Sequence, residues 1–137
     1  MRVVIDSNRI FAALIKDHTT RSILFNKNFN FFAPSFIKSE LYKYKKDLMK
    51  KTNMTDDEIS LIFKDIFDKI TIFSYKEYRD SIEYFKKKVN DQKDIPYLAV
   101  CKLINAEGIW THDLHFREQS EIKIFTNIDL LDIIRDN

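Results

Sequence analysis

The chain has 137 residues, 45% apolar and 32% charged, with a formal net charge of +2, enough for one buried core and too short for two ordinary domains. That near-neutral balance is no global signature of a nucleic-acid binder, so any such surface must be local. A single glycine, Gly108, excludes P-loop and dinucleotide-binding folds, which need several glycines for backbone N–H groups to approach phosphates.

Val3-Val4-Ile5 is a wholly apolar β-branched run, as expected of a strand covered on both faces. Ser7 or Asn8 is then predicted to cap a helix with Ile10, Phe11, Leu14 and Ile15 on its apolar side. A second helix is predicted from Thr20 to about Lys27, and a second strand from Phe29 to Ala33. Pro34-Ser35 opens one long helix whose seam is Ile37, Leu41, Tyr44 and Leu48. Thr55-Asp56-Asp57-Glu58 reads as a capping box before Ile59, Ile62, Phe63, Ile66 and Phe67.

Thr71-Ile72-Phe73 is the third predicted strand, followed by a helix from Lys76 to Val89 with Tyr78, Ile82 and Phe85 on one side. Asn90 to Lys93 is a polar break. Asp94 is then placed as the cap of a helix through Ile104, where Pro96 is tolerated in the first turn. Gly108-Ile109-Trp110-Thr111 and Ile122-Lys123-Ile124-Phe125 are the last two strands, and a helix from Asp129 to Ile134 closes the chain.

Strands alternate with helices and no hairpin signal intervenes. That pattern predicts an α/β fold, a three-layer α/β/α sandwich around a five-stranded parallel sheet, in one domain over residues 1–137. Most of the 12 Phe fall in periodic segments and are read as core, as is Trp110. Cys101, the lone cysteine, has no partner for an internal disulfide and is expected as a buried thiol. No apolar run approaches the ~18 residues of a membrane span and no signal-peptide h-region opens the chain, so a cytoplasmic protein without membrane contact is expected.

In open parallel sheets the ligand crevice lies beyond the carboxyl ends of the strands. Asp6 and Asp113 are predicted at such ends, and Asp94 at a helix N-terminus, where the dipole should keep it ionised. Taken singly, each is explained by the taste of Asp for turns and caps. Together they carry chemistry: like charges ~5 Å apart repel by about 3 kcal/mol per pair at an effective dielectric of 20. A divalent cation offsets that repulsion, and hard oxygen ligands select magnesium or manganese. Such an ion can promote phosphodiester hydrolysis.

These residues bring a family resemblance into view. Val3-Val4-Ile5-Asp6-Ser7-Asn8 resembles the opening strand and first acid of PIN domains, and Pro34-Ser35-Phe36-Ile37-Lys38-Ser39-Glu40-Leu41 is similar to the segment bearing their second. Asp94-Ile95-Pro96-Tyr97-Leu98-Ala99-Val100 resembles the third-acid helix, and Ile109-Trp110-Thr111-His112-Asp113 the fourth-acid strand. The resemblance implies strand order 3-2-1-4-5 and metal-dependent cleavage of single-stranded RNA, leaving a 3′-hydroxyl and a 5′-phosphate. It implies Asp6, Glu40, Asp94 and Asp113 as catalytic ligands of Mg2+ or Mn2+, with Asn8 and Thr111 supporting them through hydrogen bonds. Small PIN proteins of this kind resemble the toxins of type II toxin–antitoxin pairs, which implies a homodimer and a small antitoxin partner. One departure is His115, where many relatives carry a further acid; Asp91 nearby is read as loop polarity.

Lys43, Lys45, Lys46, Lys50 and Lys51, interleaved with Tyr42 and Tyr44, could track an RNA backbone, with Lys43 and Lys46 the candidates beside Glu40. The plainer reading of such a cluster is a solvated helix face. His115 could touch substrate. His18, His112, His115 and Cys101 lack zinc-site spacing. The alternative to a nuclease is a catalytically inert PIN-fold module that binds RNA or serves assembly. Phosphatases of the haloacid-dehalogenase type need a second Asp where Asn8 stands, and receiver domains need an Asp where Ser74-Tyr75 follows the third strand.

Overall fold

A computed structural model describes residues 1–15 and 17–137. Its sheet has five parallel strands in the order β3-β2-β1-β4-β5: β1 Arg2–Ile5, β2 Asn30–Pro34, β3 Ile70–Phe73, β4 Gly108–Trp110 and β5 Ile124–Phe125. The helices are α1 Ser7–Leu14, α2 His18–Leu24, α3 Phe36–Lys43, α4 Lys45–Thr52, α5 Asp56–Lys69, α6 Tyr75–Lys86, α7 Ile95–Ile104 and α8 Asn127–Asp136. They flank the sheet, as parallel strands joined by crossovers require. No helix among the described residues is long and apolar enough to cross a membrane.

The central strand explains itself. Val3, Val4 and Ile5 are fully buried, and Val4 pairs with Phe32 on one side and Ile109 on the other. Trp110 is also fully buried and stacks on Phe31 at 5.3 Å between ring centroids. The sheet's lone glycine is forced by close approach: a Cβ on Gly108 would lie 2.4 Å from the Lys123 carbonyl oxygen and 2.7 Å from the Phe125 ring. Cys101 is buried, and burial pushes its thiol up to about 12, so it packs as a hydrophobe.

Several sequence expectations need correction. The long helix after Pro34 is two helices, α3 and α4, with a break at Tyr44 (φ −100°, ψ 11°). The break lets α4 turn onto α5, where Leu48 is buried and the Lys45 ammonium reaches Asp56 at 2.8 Å and Ser60 at 2.6 Å. Tyr44 therefore leaves the seam and stays partly exposed, its ring edge-on to Phe11. The cap of α1 is neither Ser7 nor Asn8: β1 runs into the helix without a loop, so Asp6 occupies the junction. Ile15 lies beyond the helix end and is exposed.

Strand β5 is shorter than expected because the Gln119 side chain takes the backbone of Ile122, accepting from its N–H at 2.7 Å and donating to its carbonyl at 3.0 Å. Other differences follow from caps. Ser74 with Glu77 and Thr126 with Asp129 form capping boxes that start α6 and α8 earlier than predicted, whereas α2 starts after the Asp17 cap and ends at Leu24. A 3-10 helix, Leu114–Glu118, was not foreseen.

Candidate active site

Register alone brings the first and last acids together. Ile5 pairs with Trp110, and the Asp6 N–H donates to the Trp110 carbonyl at 3.1 Å. Asp6 and Thr111 therefore leave the sheet side by side at its carboxyl end. The Thr111 hydroxyl donates to Asp6 Oδ2 at 2.7 Å and accepts from the Asp113 N–H at 3.0 Å. Asn8, the second residue of α1, donates from Nδ2 to the same Asp6 oxygen at 3.0 Å and to Thr111 Oγ1 at 3.2 Å. The two supporting residues expected from sequence thus sit on the first acid.

The other acids arrive from separate elements. Glu40 comes from α3 and accepts the Tyr97 hydroxyl across to α7. Asp94 stands at the start of α7, with 5% of its surface exposed. Asp113 accepts the His115 N–H at 2.9 Å and caps the 3-10 helix.

These carboxyls feel one another. Burial, more than any other cause, pushes Asp6 up to about 6; the charges of Glu40 and Asp113 add to it, against the Thr111 hydrogen bond. Burial pushes Asp94 up to about 7, and the charges of Asp91, Asp113, Asp6 and Glu118 add to it. Glu40 is raised by burial, against the Tyr97 hydrogen bond and the charge of Lys93. Burial, with the charges of Asp6 and Glu40, raises the Tyr97 phenol well above its usual range.

The expectation that a helix dipole would keep Asp94 ionised is overturned. Its side chain makes no capping hydrogen bond, and desolvation together with the charges of the neighbouring acids raises its carboxyl. Its Oδ2 is buried with no hydrogen-bond partner at all. A buried oxygen left unpaired costs about 1–3 kcal/mol, so this atom lacks something that a cation would supply. Among the described residues no three acid or histidine side chains converge into a finished cation cage. Glu40 is held by Tyr97, and Asp113 by its own turn. The donors themselves, hard carboxylate oxygens around an orphaned one, fit Mg2+ or Mn2+.

The sequence missed part of the site. Asp91, read as loop polarity, does serve its loop, accepting the Lys93 N–H at 2.9 Å, and its charge in addition raises Glu40 and Asp94. Tyr97 sits three residues after Asp94 on α7, a spacing that would have marked it as facing the same side. Lys43 and Lys46 make no hydrogen bond or ion pair to the acids among the described residues. Lys43 lies over the Tyr44 ring at 5.5 Å, and Lys46 is on α4, not on the helix of Glu40. His115 is exposed, with Nδ1 at 3.4 Å from Asp113.

A parallel sheet in this order, with one buried acid at the carboxyl end of its central strand and another at the start of α7, defines an α/β protein with a buried acid cluster. A family model described as the PIN domain matches residues 4–123. The chain belongs to the PIN-domain family, whose members are generally nucleases that use divalent metals. A comparison with curated proteins returns no match.

Proposed function

We propose that this chain is a metal-dependent endoribonuclease that cleaves single-stranded RNA, with Asp6, Glu40, Asp94 and Asp113 as the ligands of Mg2+ or Mn2+. The observation that carries this reading is the unpartnered, buried Oδ2 of Asp94, set among acids whose charges raise one another. A divalent cation supplies Lewis-acid chemistry to phosphodiester hydrolysis, polarising phosphoryl oxygens and acidifying water. The chain's own residues do the rest. Thr111 and Asn8 aim the Asp6 carboxylate, and Tyr97 aims Glu40. Burial of Asp6 and Asp94 keeps the centre in a low-dielectric setting, where a positive ligand is bound more strongly.

Substrate would lie against the loop after β4. A cavity of about 210 Å³ opens there, lined by Asp113, Leu114, His112, Arg117 and Ile124 among others. Leu114 is 69% exposed, and Arg117 makes no ion pair among the described residues. An apolar wall beside a free guanidinium suits a base stacked next to its phosphate. Lys43, Lys46 and His115 are assigned weaker substrate contacts.

The test is cleavage of a labelled single-stranded RNA with Mn2+, with EDTA, and with Asp6→Asn. Cleavage abolished by EDTA and by the variant supports the reading. Folded protein that takes up no Mn2+ sinks it and leaves the inert RNA-binding or assembly module, which Glu40's engagement with Tyr97 and the His115 departure favour. The toxin role, with a homodimer and a small antitoxin, rests on the family resemblance. Induced expression that leaves growth unaffected would count against it.

A further inference from the structure

Asn8 can help Asp6 only if its amide faces the right way, and the way it faces is set from outside the acid cluster. Its Nδ2 donates to Asp6 and Thr111, while its Oδ1 accepts from Arg9 Nε at 3.0 Å and from the His112 N–H at 3.3 Å. A guanidinium has donors and no acceptor. A flipped Asn8 would put an NH2 against Arg9 and a carbonyl oxygen against the Asp6 carboxylate, both repulsive. Arg9 therefore fixes the amide.

Arg9 is itself fixed. It is buried, with 7% of its surface exposed, and its Nη1 donates to Asn127 Oδ1 at 3.2 Å. Asn127 is the first residue of α8. The same Oδ1 accepts from the indole Nε1 of Trp110 at 2.8 Å, and the Asn127 Nδ2 donates to Thr20 Oγ1 at 2.9 Å. Trp110 and Thr20 are both fully buried. Trp110, like Arg9, can only donate, so Asn127 has one allowed orientation. Every bond in the series Trp110–Asn127–Arg9–Asn8–Asp6 has a forced direction.

We infer that Asn127 and Arg9 are positioning residues of the acid site: Asn127, beyond residues 4–123 that match the family model, locks Arg9, which locks the Asn8 amide onto Asp6. The C-terminal helix is on this account part of the machinery, anchored to β4 and α2 by one side chain. Ligand-orienting partners one layer out from a metal typically affect its affinity by 10- to 100-fold. The inference rests on the reading of the acids as metal ligands.

Three variants of the full chain test it: Asn127→Ala removes the lock, Asn127→Asp keeps both acceptor contacts, and Arg9→Lys keeps the cation but replaces the rigid fork, whose Nε and Nη1 are aimed separately at Asn8 and Asn127, by a single nitrogen on a flexible stem. Calorimetric Mn2+ titration should show about 10-fold weaker binding for Asn127→Ala and Arg9→Lys, with Asn127→Asp within about twofold of wild type. Hydrogen exchange of the Asn8 side-chain amide, followed by NMR without metal, should accelerate in the same two variants only. Unchanged Mn2+ affinity and exchange in folded Asn127→Ala would overturn the inference, as would equal losses in Asn127→Ala and Asn127→Asp. If Asn127→Ala does not fold, Arg9→Lys decides by the same two readouts. A wild type that takes up no Mn2+ removes the nuclease reading instead, and the exchange measurement then decides the Asn127–Arg9 lock alone.

Discussion

Two groups of residues built around carboxylates handle charge in opposite ways. On the surface, Glu121 accepts the Tyr84 hydroxyl at 2.6 Å and the Lys88 ammonium at 3.4 Å, with Lys102 at 3.7 Å. Both lysines also lie over the Tyr84 ring, each 4.1 Å from its centroid. The Tyr84 hydrogen bond, then Lys88 and Lys102, hold Glu121 below its usual range. At the carboxyl end of the sheet, Asp6 and Asp94 are buried near further acids and both are raised. The surface cluster is complete as it stands, whereas the buried one remains short of positive charge. A fold retains such a deficit where a ligand from solution makes it good.

The largest break in this contrast is to remove the deficit. Asp94→Asn should lower Mn2+-dependent RNA cleavage by roughly 100-fold or more, since losing a ligand should cost at least as much as losing a residue that only orients one. The same substitution should stabilise the metal-free protein, because an amide in that buried position carries no charge to desolvate. In EDTA at pH 8 its melting temperature is expected a few degrees above wild type. The size of this gain depends on pH. With Asp94 at about 7 in the fold and near 3.8 when free, the wild type bears the full cost above pH 7. That cost fades as the folded carboxyl takes up a proton below pH 7, and is gone below about pH 4. Thermal melts across pH 4–8 check this. A variant that is less stable at every pH would mean Asp94 is a structural cap.

Metal itself should close the gap. At about 100-fold over its dissociation constant, Mn2+ stabilises by about 2.7 kcal/mol, which raises the melting temperature of the wild type by several degrees. Asp94→Asn should lose most of that gain. Equal gains in the two proteins would place the ion elsewhere.

Much of the fold was legible because parallel strands buried on both faces write themselves as short β-branched runs. Val3-Val4-Ile5 and the capping box at Thr55 needed no tertiary information. Asp6, Asp94 and Asp113 were legible from their places at strand and helix ends. What escaped depends on contacts across the chain. The break at Tyr44 goes with contacts between α4 and α5, such as Lys45 to Asp56, and the shortened β5 with Gln119. Asp94 illustrates the limit most sharply: its helix position predicts a stabilised charge, and only its burial reveals the reverse. The path from Asn127 to Asp6 spans most of the sequence, so no local pattern records it.

A smaller effect tests the substrate side of the site. Arg117→Ala should raise the KM for single-stranded RNA several-fold, with kcat little changed, since the guanidinium lines the cavity beside Asp113 but makes no ion pair or hydrogen bond to the acids among the described residues. The salt dependence of RNA binding should also lose roughly one unit of slope, as expected for one phosphate contact. A fall in kcat at constant KM would move Arg117 from substrate binding to the chemistry.

The smallest effect belongs to the surface cluster, and it makes the contrast quantitative. Glu121→Gln removes one charge but leaves an amide oxygen that can still accept from Tyr84 and Lys88. Exposed ion pairs contribute little, because water solvates each partner nearly as well and salt screens what remains. The melting temperature should therefore move by about a degree or less, and cleavage should not change. Thermal melts at low and high salt would check both the size and its origin: any loss should shrink as salt rises. A loss as large as the Asp94→Asn gain would mean that the tyrosine and its two lysines hold α6 and α7 together far more firmly than their exposure allows.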